Sequence, residues 1–275
     1  MLVNLNHLLP AAAKAGCAVP CFNVFGNEEV VAVLTAAESL GRGVILACNK
    51  DMASQMGVVG FAGMVRGLAA ATSVPVCVHL DHCYEEDTVF AALRAGFTSV
   101  MFDGSQLTLE ENIARTARVA LVAHAFGASI EGEIGSVPYT EGRDHIRSEL
   151  TEPRDALAFA QRSGVDAMAI SVGNVHRLQT TSSEIDFERV ARIAALTEVP
   201  LVIHGTTGIR DKDLLRLKKL RVAKFNIGTT MRMTFARSLR ASLDSDPAQF
   251  DRLVIMKPVL AALQAEATRV MQVLG

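Results

Sequence analysis

The chain has 275 residues, 50% of them hydrophobic and 20% charged, with a formal net charge of −2. That balance, with no Lys/Arg block and no apolar run of bilayer-spanning length, excludes nucleic acid and membrane as expected partners. The length supports one large core, read here as a single domain over 1–275.

The N-terminus, Met-Leu-Val-Asn-Leu-Asn-His, lacks the basic head and cleavage site of a signal peptide. Cys17, Cys21, Cys48, Cys77 and Cys83 are odd in number and form no C-x-x-C pair, so reduced thiols in a cytoplasm are expected.

The first strand is expected over Val19–Val24, with Asn23 near its end, and an amphipathic helix over Glu28–Leu40. The second strand, Val44–Cys48, runs into Asn49, Lys50 and Asp51. Gly57–Ala71 reads as a weaker helix because it carries four glycines. The third strand, Val74–Leu80, closes in the tetrapeptide His79-Leu80-Asp81-His82, which sets titratable side chains where a strand gives way to a loop. A helix over Glu85–Ala95 precedes the fourth strand, Ser99–Asp103, which leads into Gly104 and Ser105. A helix over Glu110–His124 precedes the fifth, Ala128–Glu133, which carries Glu131 and Glu133. The stretch Ile134–Thr151 is the longest gap between elements and reads either as a lid or as a surface excursion. The helix Arg154–Ser163 and the sixth strand, Ala167–Val172, lead to Asn174 and His176. The helix Phe187–Leu196 and the seventh strand, Pro200–His204, lead to Gly205. The helix Asp211–Leu220 and the eighth strand, Ala223–Ile227, lead to Gly228 and Thr229, and Pro258–Leu274 adds a final helix. Eight strands alternating with helices at this length predict an α/β fold, a (β/α)8 TIM barrel with an extra C-terminal helix.

The polar residues gather at the C-terminal ends of the strands, which is the active-site face of such a barrel. His82, His176 and His204 stand at equivalent rim positions, giving the ligand count of a catalytic zinc site that keeps a coordination position open. His79 shares a strand face with Asp81 and reads as a supporting hydrogen-bond partner. Asp81 can carry a proton to a substrate hydroxyl or orient an imidazole, and Asp103 and Glu133 are either orienting groups or alternative ligands. Cys83 reads as a bystander thiol. Two Gly-bearing turns, His204-Gly205-Thr206-Thr207-Gly208 and Asn226-Ile227-Gly228-Thr229, follow strands seven and eight, where barrels of this kind hold phosphate on backbone N–H groups.

These residues resemble the class II, zinc-dependent ketose-bisphosphate aldolases, the family of fructose- and tagatose-bisphosphate aldolases. The likeness runs over nearly the whole chain. It is carried by Val74–Cys83, by Ser99–Ser105 with Glu110-Glu111-Asn112-Ile113, by Ile130–Gly135, by Val172–His176, by His204–Gly208, and by Phe22-Asn23-Val24. The resemblance implies zinc on His82, His176 and His204, with Glu133 as an alternative ligand. Another divalent ion in place of zinc and an assisting monovalent cation stay open. It implies Asp81 as proton carrier at the C4 hydroxyl of a ketose, and Glu141 as the lid-loop acid working on the enediolate carbon. Gly205, Gly208, Asn226 and Thr229 would surround the phosphate of the dihydroxyacetone-phosphate half, and Asp103 and Ser105 would line the metal side. The implied activity is reversible cleavage of a phosphorylated ketose to dihydroxyacetone phosphate and an aldehyde through a zinc-stabilised enediolate. The implied assembly is a homodimer or homotetramer.

The chain departs from the family pattern on the aldehyde side. Pro138-Tyr139 replaces a small-residue pair, Thr230 replaces an acid, and Arg177 replaces a glycine. Gly228 replaces the aspartate of the fructose branch and leans towards the tagatose-like branch. Asn49-Lys50 stands where small hydroxyl residues are usual, and Arg252 is one place removed from an arginine that grips a distal phosphate. An altered aldehyde partner is therefore expected, with Lys50 and Arg177 either binding its polar end or standing as solvated rim charges. The competing readings are a metal-dependent sugar-phosphate epimerase and a non-catalytic aldolase-like subunit.

Overall fold

Strands such as Val44–Asn49 are apolar along nearly their whole length and buried on both faces, and parallel strands of that kind need helices over their crossovers. The computed structural model describes residues 1–139 and 148–275. A leading helix α1 (Leu5–Ala15) precedes β1 (Val19–Asn23), and α2 (Asn27–Leu40) connects it to β2 (Val44–Asn49). Two helices, α3 (Lys50–Met56) and α4 (Val58–Ala69), lead to β3 (Val76–Cys83). Then come α5 (Glu86–Ala95), β4 (Ser99–Phe102), α6 (Leu109–Ala125), β5 (Ser129–Ile134), α7 (Pro153–Ser163) and β6 (Ala167–Ile170). The chain ends with α8 (Phe187–Leu196), β7 (Leu201–Ile203), α9 (Asp211–Lys219), β8 (Val222–Ile227), α10 (Thr229–Ser245) and α11 (Arg252–Leu274). The eight strands are parallel and adjacent in sequence order, and β8 closes on β1 with Val19 opposite Lys224. This is the expected TIM barrel, with α11 as the extra C-terminal helix.

Two apolar layers hold it together. Outward residues such as Phe22, Leu46, Val78, Ile130 and Phe225 pack under the helices. Inward residues at the N-terminal end are mostly small: Cys21, Ala47, Cys77, Ala167, Ala169 and Ala223. The space they leave is filled by Leu5, Leu8 and Leu9 of α1, which plugs the bottom of the barrel. Leu5 N–H donates to Ser129 Oγ at 3.0 Å, and Val3 N–H donates to the Val76 carbonyl at 2.9 Å, fixing the plug to β5 and β3. With α1 filling the bottom, the C-terminal mouth is the open end of the barrel interior.

Several boundaries differ from the sequence expectation. β3 begins after Pro75, which has no N–H for the ladder, and continues past Leu80 to Cys83, so the histidine-bearing tetrapeptide lies within the strand. Neither α1 nor α3 was expected. α11 starts ahead of Pro258, at Arg252, because Asp251 Oδ1 accepts the Leu253 N–H at 2.8 Å and caps the helix earlier. The glycine-bearing stretch does form a helix, α4, driven by burial of Phe61, Ala62, Val65 and Ala69 along one face. Among the described residues no helix is long and apolar enough to cross a membrane.

Candidate active site

Alternation along β3 turns His79 and Asp81 inward and Leu80 outward, and by the same rule His82 would face the helices. It does not, because β3 carries one extra residue: Leu80 pairs with Val100 but Cys83 with Phe102, and His82 has φ 49°. This bulge brings the His82 ring into the mouth directly after Asp81. His176 follows β6, where its N–H donates to the Pro138 carbonyl at 2.8 Å and its ring stacks on Tyr139 with centroids 4.5 Å apart. His204 ends β7. The His82 ring lies 4.8 Å from that of His176 and 4.5 Å from that of His204, and one nitrogen from each of the three lies within 4.8 Å of the others.

Carboxylates aim these rings. His82 Nδ1 donates to Asp103 Oδ2 at 2.8 Å, which leaves Nε2 buried without a hydrogen-bond partner. His204 Nε2 donates to Glu131 Oε1 at 2.9 Å, which leaves Nδ1 only 3.4 Å from Glu133 Oε2. Asp103 is itself held, its Oδ1 accepting the Ser105 N–H at 3.1 Å. A metal-binding imidazole characteristically donates its other N–H to a carboxylate, so His82 and His204 are arranged as ligands and fit a zinc-type ion. Asp103 therefore orients His82, while Glu133, whose Oε2 has no hydrogen-bond partner, can join a second grouping with His82 and Asp103. The field favours positive charge. Burial opposes protonation of His82, yet Asp81 and Asp103 outweigh it and push its pKa well above the ordinary value.

Below the histidines lies a buried ionic network. Lys224 Nζ is 2.8 Å from Glu131 Oε2, both side chains fully buried, and donates to Asn226 Oδ1 at 2.6 Å. Asn226 Nδ2 then donates to Asp81 Oδ1 and Asn23 Nδ2 to Asp81 Oδ2, each at 2.9 Å. Burial pushes the Asp81 carboxyl up, but His82, His204 and Lys224 together hold it below its ordinary value. His79 Nδ1 pairs with Ser99 Oγ at 2.8 Å, so it is a supporting residue as expected. Sequence reasoning gave Glu131 no role and passed over Lys224. The available signal was inward alternation: Glu131 shares a face with Glu133, and Lys224 with Asn226.

The open mouth above Asp81 and His82 is lined by Asn23, Asn49, Lys50, His176, Arg177, Gly205, Thr206, Thr207, Asn226, Gly228 and Thr229, all expected from sequence, and by Asp51, Tyr139 and Arg232. Thr230 N–H donates to Thr207 Oγ1 at 3.1 Å, joining the turns after β7 and β8 side by side. Gly205 has φ 67°, and a Cβ there would run into the Val175 carbonyl, so only glycine lets the turn sit this close to the chain after β6. Asn49 Oδ1 caps α3 by accepting the Met52 N–H at 2.9 Å, and Arg177 Nη2 meets Asp51 Oδ2 at 2.9 Å. Gly208, Ser105 and Asp103 are buried and do not line the mouth. Arg252 stands apart, exposed at the start of α11 and paired with Glu28 at 2.6 Å. Glu141 lies outside the described residues.

Comparison with known proteins agrees with this geometry. The family model described as class II fructose-bisphosphate aldolase matches residues 3–275. A sulfofructosephosphate aldolase from Alkalicoccus urumqiensis is 33% identical over 251 residues, 90% of this chain and 88% of that protein. The D-tagatose-1,6-bisphosphate aldolase subunit GatY of Klebsiella oxytoca is 31% identical over 277 residues, covering 100% of this chain and 98% of that one. The crystal structure of the YdjI aldolase from Escherichia coli K12 superposes with a TM-score of 0.88 at 28% identity, over 100% of this chain and 98% of that chain.

Proposed function

The chain belongs to the class II fructose-bisphosphate aldolase family, and from that membership we propose that it reversibly cleaves a phosphorylated ketose to dihydroxyacetone phosphate and an aldehyde. The observation that carries this reading is the meeting of His82, His176 and His204 beside a buried, doubly hydrogen-bonded Asp81. His82, His176 and His204 would hold zinc or another divalent ion, with Glu133 within reach as a further ligand. A metal ion there supplies Lewis acidity to the ketose carbonyl, so no Schiff-base lysine is needed.

The remaining chemistry belongs to the chain. Asp81 accepts the C4 hydroxyl proton as the C3–C4 bond breaks and returns it on condensation; its two amide donors keep it aimed, and His82, His204 and Lys224 keep it ionised. Gly205, Thr206, Thr207, Gly228 and Thr229 bind the phosphate of the three-carbon half on the paired turns. Glu141 is the proposed acid at the enediolate carbon. Asn23 and Asn49 line the path to the aldehyde half, and Asp103 keeps His82 in its ligating tautomer. Exposed Phe250, Leu253 and Val254 flank Arg252 and support a homodimer or homotetramer, and five free cysteines support a cytoplasmic setting.

The test is a screen of ketose mono- and bisphosphates with the zinc-loaded protein and coupled detection of dihydroxyacetone phosphate. Release of the three-carbon fragment is the expected result. Conversion of a ketose phosphate to its epimer with no fragment released would replace the aldolase reading with an epimerase.

A further inference from the structure

The three histidines are aimed by different means. Rotation about the last side-chain bond of a histidine has only a broad preference, so a ligand nitrogen points where the contacts of its ring direct it. Hydrogen bonds to Asp103 and Glu131 orient His82 and His204. His176 stands half-buried after β6, and an aromatic face lies against it. The Tyr139 ring is stacked on the imidazole, with centroids 4.5 Å apart and planes 23° apart. The backbones run together beneath the rings: Tyr139 and His176 form a parallel bridge, and the His176 N–H donates to the Pro138 carbonyl at 2.8 Å.

Tyr139 is itself held. The Arg177 guanidinium carbon lies 5.8 Å from the centroid of its ring, within the range of cation–π attraction, and Arg177 Nη2 meets Asp51 Oδ2 at 2.9 Å. Arg177 has φ 59°, a left-handed conformation that glycine takes freely and an arginine takes at a cost. The contacts of its side chain with Tyr139 and Asp51 offset that cost and fix the backbone directly after His176. Pro138-Tyr139 and Arg177 are two of the chain's departures from the family pattern, and they meet around one candidate metal ligand.

We propose that Tyr139 is a positioning residue for the metal: its ring holds the His176 imidazole in the orientation that lets it share an ion with His82 and His204. It does by stacking what Asp103 and Glu131 do for the other two by hydrogen bonds. The arrangement it preserves has the His176 ring 4.8 Å from that of His82 at 74°, and 5.7 Å from that of His204 at 50°. An imidazole that loses its stack can turn its nitrogen away from the shared ion, so the loss falls on metal affinity and on coordination geometry. This deepens the reading of the three histidines as ligands and rests on it, whichever ketose is cleaved.

The test uses zinc and cobalt(II) alone, on the whole chain. Competition with a chromophoric chelator measures zinc affinity, and the visible d–d bands of the cobalt(II) form report coordination geometry. Tyr139→Ala should weaken zinc binding about 10- to 100-fold, the usual effect of removing a group that orients a ligand, and should shift the cobalt bands. Tyr139→Leu, which fills space without an aromatic face, should behave like the alanine variant. Tyr139→Phe keeps the ring and should stay within about threefold of wild type, with the wild-type spectrum. Wild-type affinity and spectrum in Tyr139→Ala would overturn the proposal. Recovery in Tyr139→Leu would overturn it in favour of plain packing, and a loss in Tyr139→Phe equal to that of alanine would overturn it in favour of the phenol hydroxyl. Wild-type protein that binds neither ion would overturn the ligand reading and this proposal together. Absence of cleavage in the ketose screen, with the Tyr139→Ala loss of zinc intact, would count against the aldolase reading alone and leave the role of Tyr139 standing.

Discussion

Asp81 and His82 are neighbours in sequence with different tasks, and the backbone separates them. The carboxylate sits on the ordinary inward face of β3, whereas the imidazole reaches the same mouth only through a bulge at φ 49°. Asp81→Ala leaves the three imidazoles in place, so zinc content should hold while ketose cleavage falls about 10²- to 10⁴-fold, the usual worth of a positioned general base. Metal analysis and the coupled assay on one preparation check this, and unchanged turnover would remove the assigned role. His204→Ala should reverse the pattern and lose metal. Because Asp81 and Asp103 hold the His82 pKa well above its ordinary value, proton and metal compete for this ring. Zinc affinity should therefore drop as pH is lowered, and calorimetry in buffers of different ionisation enthalpy should show proton release on binding. The histidines were legible as rim residues because strand ends are places where a core has no use for them. The inward turn of His82 was not legible, since a bulge leaves no mark on an alternating pattern. Nor was the place of Arg232 in the lining of the mouth, since in sequence it is one of several arginines on α10.

At the scale of elements, the strands were easier to read than their helical surroundings. Strands buried on both faces announce themselves as short apolar runs, and each was located to within a few residues. Helix α1 was passed over because Pro10 and a run of small residues blur its periodicity, although Leu5, Leu8 and Leu9 are the face that fills the barrel. Helix α4 shows the converse, a segment with poor helix propensity held in shape by tertiary packing of Phe61 and Val65. Its glycines are thus a separable cost. Gly63 and Gly67 are exposed, have no positive φ, and offer an added Cβ no heavy atom within 4 Å. Gly63→Ala and Gly67→Ala should each stabilise the protein by about 0.5–1 kcal/mol, read as a rise in urea midpoint at constant slope. No gain in either would mean that α4 is already fixed by its buried face in the denatured ensemble as well.

For the whole molecule, the barrel axis changes character from end to end: an apolar plug at the bottom, a buried ion pair in the middle, and an open polar mouth. The middle layer couples the other two. Lys224 on β8 and Glu131 on β5 cross the interior at 2.8 Å, and through them His204 and Asp81 are held in register. Lys224 was passed over because a lysine in a strand usually marks a solvent face, although its alternation with Asn226 points inward. Removing one partner strands a buried charge, so Lys224→Met should destabilise by about 3–5 kcal/mol. Lys224→Met combined with Glu131→Gln should cost less than the sum of the two single changes. The same layer sets the acid response. Burial raises the Glu131 carboxyl, but Lys224 and His204 hold it well below its ordinary value, and burial together with Lys224 pushes His79 down to about 3. Both groups bind fewer protons folded than unfolded, so their contribution is complete above the unfolded values and is lost as pH falls from about 6.5 towards 3. Urea unfolding at pH 7 and pH 4 should show wild-type protein losing stability in acid. The double variant, which has no Glu131 carboxylate to protonate, should lose less. Equal acid sensitivity in the two proteins would move the pH response out of the barrel interior and onto the surface carboxylates.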